Sequence, residues 1–145
     1  MLRDRIIGDW PMPTVLFVCV ENSFRSVMAE ALFNARAPPG WRAMSAGVDA
    51  DGKVLNPRVI PMMAEVGLDV SAKVPRQVRS AMISEAWRVV TFHCVDRCPV
   101  GALAKNEDWS IPGATGKTEA QLRGIRDDVE RHVLDLIARL PKVEA

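Results

Sequence analysis

Val15-Leu16-Phe17-Val18-Cys19-Val20-Glu21-Asn22-Ser23-Phe24-Arg25-Ser26 is the stretch on which the fold turns. Its first four residues form an unbroken apolar run, as a parallel strand does when both of its faces are buried. Beyond Ser26, the residues Val27, Met28, Ala31, Leu32 and Ala35 recur at helical spacing. Cys-x5-Arg-Ser therefore stands between a strand and a helix. A loop that enters a helix in this way aims several backbone N–H groups at one point, and the helix dipole adds partial positive charge there. Anions bind where such groups converge. Arg25 adds a planar fork of donors that matches two oxygens of a tetrahedral anion, which a lysine could not supply. Phosphate and arsenate have that shape. The same donors favour a thiolate, so Cys19 is expected to be the nucleophile, cradled with its anion by Val20, Glu21, Asn22, Ser23, Phe24 and Arg25. The alternative is a cysteine buried as one more small hydrophobe, the common fate of an intracellular thiol. The strand before Cys19 and the helix after it favour the reactive reading.

Composition bounds the rest. A chain of 145 residues with 48% hydrophobic content can bury one core. We expect a single domain over 14–145, preceded by an extension at 1–13. That extension mixes charge with short apolar pairs and lacks a signal-peptide core, and no window approaches the length of a membrane span, so the expected location is the cytoplasm. With 19 basic and 18 acidic residues the net charge is +1, and no basic stripe invites nucleic acid. Small molecules or proteins are the expected partners, no cofactor is implied, and there are no repeats.

Working outward, the chain turns at Pro38-Pro39-Gly40, and Arg42 to Ala46 read as a second short strand ending at Gly47. Asn56-Pro57 reads as a helix cap with proline in the first turn, Val59, Met62, Met63 and Val66 as the apolar stripe, and Gly67 as the stop. Pro61 must either kink that helix or delay its start. A further helix is expected over Val78 to Ala86, then a β-branched buried strand over Arg88 to Phe92. The last helix is the plainest: Thr118-x-x-Gln121 offers a capping box, and Leu122, Ile125, Val129, Val133, Leu136 and Leu140 follow at three- or four-residue spacing before Pro141. The alternation spells a three-layer α/β fold with a parallel sheet. Ligands in such folds sit beyond the carboxyl ends of the strands, where Cys19 and the segment after Phe92 both fall.

That segment, His93-Cys94-Val95-Asp96-Arg97-Cys98-Pro99, carries the other two of the chain's three cysteines. Zinc is one use for a Cys-x3-Cys beside a histidine, but a structural site wants four ligands, and the only other histidine, His132, lies on the terminal helix. No metal is expected, and a redox role leads over two unrelated structural cysteines.

Taken together, the Cys19 stretch with Met28-Ala29-Glu30-Ala31, Ser45-Ala46-Gly47, Gly67-Leu68-Asp69-Val70-Ser71 and the paired cysteines resembles the low-molecular-weight protein tyrosine phosphatase superfamily, most closely its thioredoxin-coupled arsenate reductase branch. The resemblance runs from about Thr14 to Leu140. It implies a four-stranded parallel sheet flanked by helices in an α/β/α sandwich. It further implies that Cys19 attacks arsenate held by Arg25 and the loop amides, that Asn22 fixes the loop and that the Ser26 hydroxyl supports the thiolate. Cys94 would then attack the Cys19 sulfur and Cys98 would attack Cys94, leaving a disulfide for thioredoxin to reduce, with Gly101 permitting the loop to move.

The departures from that pattern matter as much. Where the family usually carries Trp-x-x-x-Asp-Pro after Trp109, with the aspartate as general acid, this chain has Gly113 and Ala114. Asp108 and Glu107 are the nearby substitutes. A positioned acid contributes ~10²- to 10⁴-fold, most for a poor leaving group such as a phenolate, so its loss weighs more on a phosphatase than on an arsenate reductase. The chain has no tyrosine to wall an aryl-phosphate slot, which leaves Trp109 alone for that task. Glu21 replaces a common glycine and is expected to point outward, away from the anion. Phe24 stands where many arsenate reductases carry a further cysteine outside the relay. Some relatives bind potassium through an acidic residue after Ser71; Val74, Pro75 and Arg76 occupy that stretch, so no such ion is expected. Three readings follow: an arsenate reductase, a phosphatase of phosphotyrosine or small esters using Cys19 and Arg25, and a non-catalytic oxyanion or redox sensor.

Overall fold

The computed structural model describes residues 13–93 and 105–142. The extension up to residue 12, Cys94, Cys98 and Gly101 lie outside the described residues. The elements are β1 (Thr14–Cys19), α1 (Arg25–Arg36), β2 (Arg42–Gly47), α2 (Val59–Ala64), α3 (Ser80–Glu85), β3 (Arg88–Thr91), β4 (Asn106–Asp108) and α4 (Glu119–Ala138). Four parallel strands form one sheet in the order β2-β1-β3-β4. β1 is an inner strand, which explains its lack of alternation. Val15 and Phe17 pack on one face with α1, α2 and α4, while Leu16 and Val18 pack on the other with Ile83 of α3. Phe17 anchors the larger side against Phe33, Phe92 and Trp109 at centroid distances of 6.2, 6.4 and 5.6 Å. Each such aromatic pair adds about 0.5–1.5 kcal/mol to the area buried.

Register aligns the strand ends. Cys19 pairs with Gly47, Val18 with Thr91, and Thr91 with Asp108, so the chain leaves β3 at the same carboxyl end of the sheet as Cys19.

Several boundaries differ from the sequence reading, each for a local reason. α2 begins at Val59 with Arg58 as its cap residue, not at Asn56-Pro57. Asn56 instead closes a turn by accepting from the Arg58 amide at 3.0 Å. Pro61 thereby falls in the first helical turn, where its missing N–H is not needed. The helix stops at Ala64, and the chain turns over Glu65, Val66 and Gly67, whose φ of 82° is a left-handed value natural to glycine. α3 is shorter than the expected Val78 to Ala86. β3 ends at Thr91, because His93 adopts φ 59° and turns the chain two residues later. β4 had no signal of its own: three polar residues, Asn106–Asp108, are strand only because β3 supplies a hydrogen-bonding edge. The capping box of α4 is present in both directions: Gln121 N donates to Thr118 Oγ1 and Thr118 N to Gln121 Oε1. Among the described residues no helix is long and apolar enough to cross a membrane.

Candidate active site

β1 delivers Cys19 to the floor of a cavity of about 230 Å³, and α1 starts at its wall with Arg25. The first turn of α1 holds no acidic residue, so nothing in that turn offsets the positive end of the helix. The loop between them reverses through Asn22, which takes φ 56° while fully buried. Single left-handed residues of this kind let successive amides curve around an anion. The loop also rests on β2 at Gly47, where a Cβ would stand 2.5 Å from the Val20 carbonyl oxygen and 2.9 Å from the Asn22 nitrogen. Only a residue without a side chain permits that approach.

Val20, Glu21, Ser23, Phe24 and Arg25 line the cavity with Cys19. Asn22 does not line it. Its side chain turns inward, donating from Nδ2 to Ser26 Oγ at 2.8 Å and to Ser45 Oγ at 3.0 Å, while Oδ1 accepts from the Arg76 amide at 3.0 Å. Three bonds on one amide hold the loop's strained residue in place. Ser26 is fully buried with its Oγ 2.9 Å from Cys19 Sγ. Arg25 is braced from behind, Nη1 donating to the carbonyls of Phe92 at 3.1 Å and Ile111 at 2.9 Å. That bond set ties the cradle to the ends of β3 and of the segment after β4. Glu21 is exposed, and its carboxylate lies 3.9 Å from Lys53 Nζ, so the outward orientation holds.

The far wall consists of Asn56, Gly113, Ala114 and Thr115. A Cβ on Gly113 would lie 3.7 Å from the Arg25 guanidinium, which places this position in the cavity wall beside Arg25. Neither substitute acid lines the cavity. Asp108 accepts from Thr91 Oγ1 at 2.7 Å and from the His93 amide at 2.9 Å, beyond β3. Glu107 is bound by Arg139 and by Trp109 Nε1; burial pushes its carboxyl up, but those bonds hold it below the usual glutamate range. Trp109 is 3% exposed and packs on Phe92 and His132, so it is a core residue and not a wall for an aryl ring. Asn56 was read in the sequence only as a helix cap and Thr115 was not singled out, because both reach the site only through the loops that precede α2 and α4. A larger apolar hollow, about 530 Å³, lies beside Trp41 and Pro141, and no cysteine, serine or threonine is among its described lining residues.

The sequence matches the family described as low molecular weight phosphotyrosine protein phosphatase over residues 14–99. It is 33% identical over 121 residues to an arsenate reductase of Staphylococcus aureus (strain bovine RF122 / ET3-1), covering 81% of this chain and 90% of that protein. In structure it is similar to the thioredoxin-dependent arsenate reductase of Corynebacterium glutamicum, with TM-score 0.73 and 26% identity over 92% of this chain and 64% of that one. A low molecular weight protein tyrosine phosphatase from T. tengcongensis shares the fold, with TM-score 0.79 and 23% identity over 88% of this chain and 99% of that one. The chain belongs to the low molecular weight phosphotyrosine protein phosphatase family, on the branch that holds the arsenate reductases.

Proposed function

We propose that the protein reduces arsenate to arsenite through a relay of its three cysteines, with thioredoxin as the reductant. Cys19 displaces a hydroxyl from arsenate held by Arg25 and the loop amides. Cys94 then attacks the Cys19 sulfur, the arsenic–sulfur bonding pair stays with arsenic, and arsenite leaves. Cys98 attacks Cys94, freeing Cys19 and forming a Cys94–Cys98 disulfide that the thioredoxin dithiol reduces. Ser26 donates to the Cys19 thiolate, and Asn22 keeps the loop curved.

The observation that carries this reading is Gly113 beside the Arg25 guanidinium. Among the described residues, the only carboxylate in the cavity wall is Glu21, which is turned out to Lys53. A thiol–arsenate adduct needs only the loss of a hydroxyl that solvent can protonate, whereas a phosphate ester needs an acid at its leaving oxygen. A site built this way suits the first reaction.

The cradle of Cys19, Arg25 and Ser26 also fits a phosphoryl group, which keeps a phosphatase as the second reading. The two differ in the thiols that they need. In a thioredoxin and thioredoxin reductase couple, arsenate-dependent NADPH oxidation should be lost on each of Cys19→Ser, Cys94→Ser and Cys98→Ser. Aryl-phosphate turnover surviving in Cys94→Ser, with no arsenate activity in the intact protein, would instead establish the phosphatase. Oxyanion binding with neither turnover would mark a sensor.

A further inference from the structure

Among the described residues, the cavity has two polar side chains that do not belong to the Cys19 loop, the half-buried Asn56 and the exposed Thr115. Asn56 is held firmly. Its backbone N–H donates to the Ser23 carbonyl at 3.2 Å, its carbonyl accepts from the Val59 amide at 3.0 Å, and its Oδ1 accepts from the Arg58 amide at 3.0 Å. A backbone N–H can meet only the oxygen of a side-chain amide, so the Asn56 amide cannot be turned round. What remains to face the cavity is Nδ2, which carries two hydrogens and bonds to nothing else among the described residues. The wall it belongs to is also fixed. Arg58 Nη2 donates to the Lys117 carbonyl at 2.8 Å and the Lys117 amide to the Ala114 carbonyl at 3.1 Å, so the loop before α2 and the loop with Gly113 are joined.

We propose that Asn56 is a substrate-contacting residue whose Nδ2 donates to the oxygen that departs when Cys19 attacks. Displacement at a tetrahedral oxyanion runs in line, so the oxygen that leaves lies opposite the entering sulfur. Cys19 forms the floor of the cavity, which sends that oxygen outward to the wall of Asn56 and Gly113. In the step, the bond from Cys19 Sγ to arsenic forms and the bond from arsenic to the hydroxyl oxygen breaks. The hydroxide carries off the bonding pair and takes a proton from solvent, and arsenic stays pentavalent. Asn56 gives up no proton. Negative charge grows on the departing oxygen as its bond breaks, so a fixed neutral donor there holds the transition state more strongly than the bound ion. Gly113 has no side chain to do this and Ala114 has no polar one, which leaves Asn56 as the anchored donor of that wall.

This role rests on the arsenate chemistry proposed above, and two readouts keep them apart. Orthovanadate becomes trigonal bipyramidal against a thiolate and so places an apical oxygen where the departing one lies, whereas sulfate stays tetrahedral. The affinities of the full chain for both ions would be measured by calorimetry in the intact protein, in Asn56→Ala and in Asn56→Asp. The aspartate keeps an oxygen for the Arg58 amide, and with it the turn, but exchanges the donor for an atom that can only accept. We expect vanadate affinity relative to sulfate to fall about tenfold in both variants. The rate of arsenite release from arsenate in a single turnover should fall by a similar factor, with a smaller change in the arsenate concentration that half-saturates it. An unchanged vanadate-to-sulfate ratio in Asn56→Asp would overturn the role of Asn56, even where Asn56→Ala fails to fold. So would equal losses for the two ions, since those mark a general change in the cavity and not a bond to the apical oxygen. No arsenite from the intact protein would reject the arsenate reading alone, and the ion ratio would still decide Asn56.

Discussion

Gly113 carries more of the functional argument than any other single residue, because one missing carboxyl separates two chemistries on the same cradle. A Cβ there would make ordinary van der Waals contact with Arg25, so a side chain can be restored without disturbing the backbone. Gly113→Asp should therefore raise hydrolysis of a poor leaving group such as phenyl phosphate, by ~10- to 100-fold, at the lower end of what a positioned acid supplies. Steady-state release of phenol checks this, and an unchanged rate would mean that the absent acid is not what holds hydrolysis back. Gly47 is the opposite case. Every atom its Cβ would meet within 3.0 Å is backbone of the Cys19 loop, so Gly47→Ala must push that loop out of shape. The expected cost is about 1–3 kcal/mol, read in a denaturant melt, together with loss of oxyanion binding. Retention of binding would show that the loop tolerates a different curve.

At the scale of elements, α4 is held by its ends and by its neighbours. Its Thr118–Gln121 box satisfies two orphan amides, and Thr118→Ala should cost about 1 kcal/mol, or about 2–4 °C in the melting temperature, without touching the cavity. α2 is too short to be stable alone and is tied to α4 at its carboxyl end. There Glu65 bonds bidentately to Arg123 at 2.9 to 3.2 Å and accepts from Arg126 at 2.7 Å. Those bonds, Arg123 first, hold the Glu65 pKa down at about 2 against its usual 4.5. The folded value lies below the unfolded one, so the contribution is full above pH 4.5 and is lost as pH falls from 4.5 toward 2. The melting temperature of the intact protein should exceed that of Glu65→Gln above pH 4.5, and the two curves should converge as acid is added. Curves that run parallel down to pH 2 would show that the pair adds nothing ionic.

For the whole molecule, the cradle is a point where separate segments are stitched together, since Arg25 joins α1 to the carbonyls of Phe92 and Ile111. An oxyanion bound there should stabilise the entire fold. Arsenate or sulfate at about a hundred times its dissociation constant should add about 2.7 kcal/mol, or about 5–10 °C, and Arg25→Lys should abolish the rise. A scanning melt with and without the anion decides it. The strand, loop and helix around Cys19 were legible in the residues because the apolar run, the Cys-x5-Arg spacing and the helical stripe are all local patterns, and so was the cap of α4. The parallel α/β class followed from the alternation of such patterns. The start of α2 was misplaced because Asn56 closes a local turn onto the Arg58 amide in place of capping the helix, and the existence of β4, the inward turn of Asn22 and the burial of Trp109 were not legible because each depends on a partner distant in sequence: the edge of β3, Ser45 and Arg76, Phe17 and His132. Sequence by itself determined the kind of loop and the place of Cys19 and Arg25 in it, since short-range spacing encodes them, while the resemblance pointed to Gly113 as the position of the usual acid. Only the tertiary structure decided that Gly113 stands beside Arg25 and that Asp108 and Glu107 are committed elsewhere, since burial and pairing across the sheet are set by long-range packing.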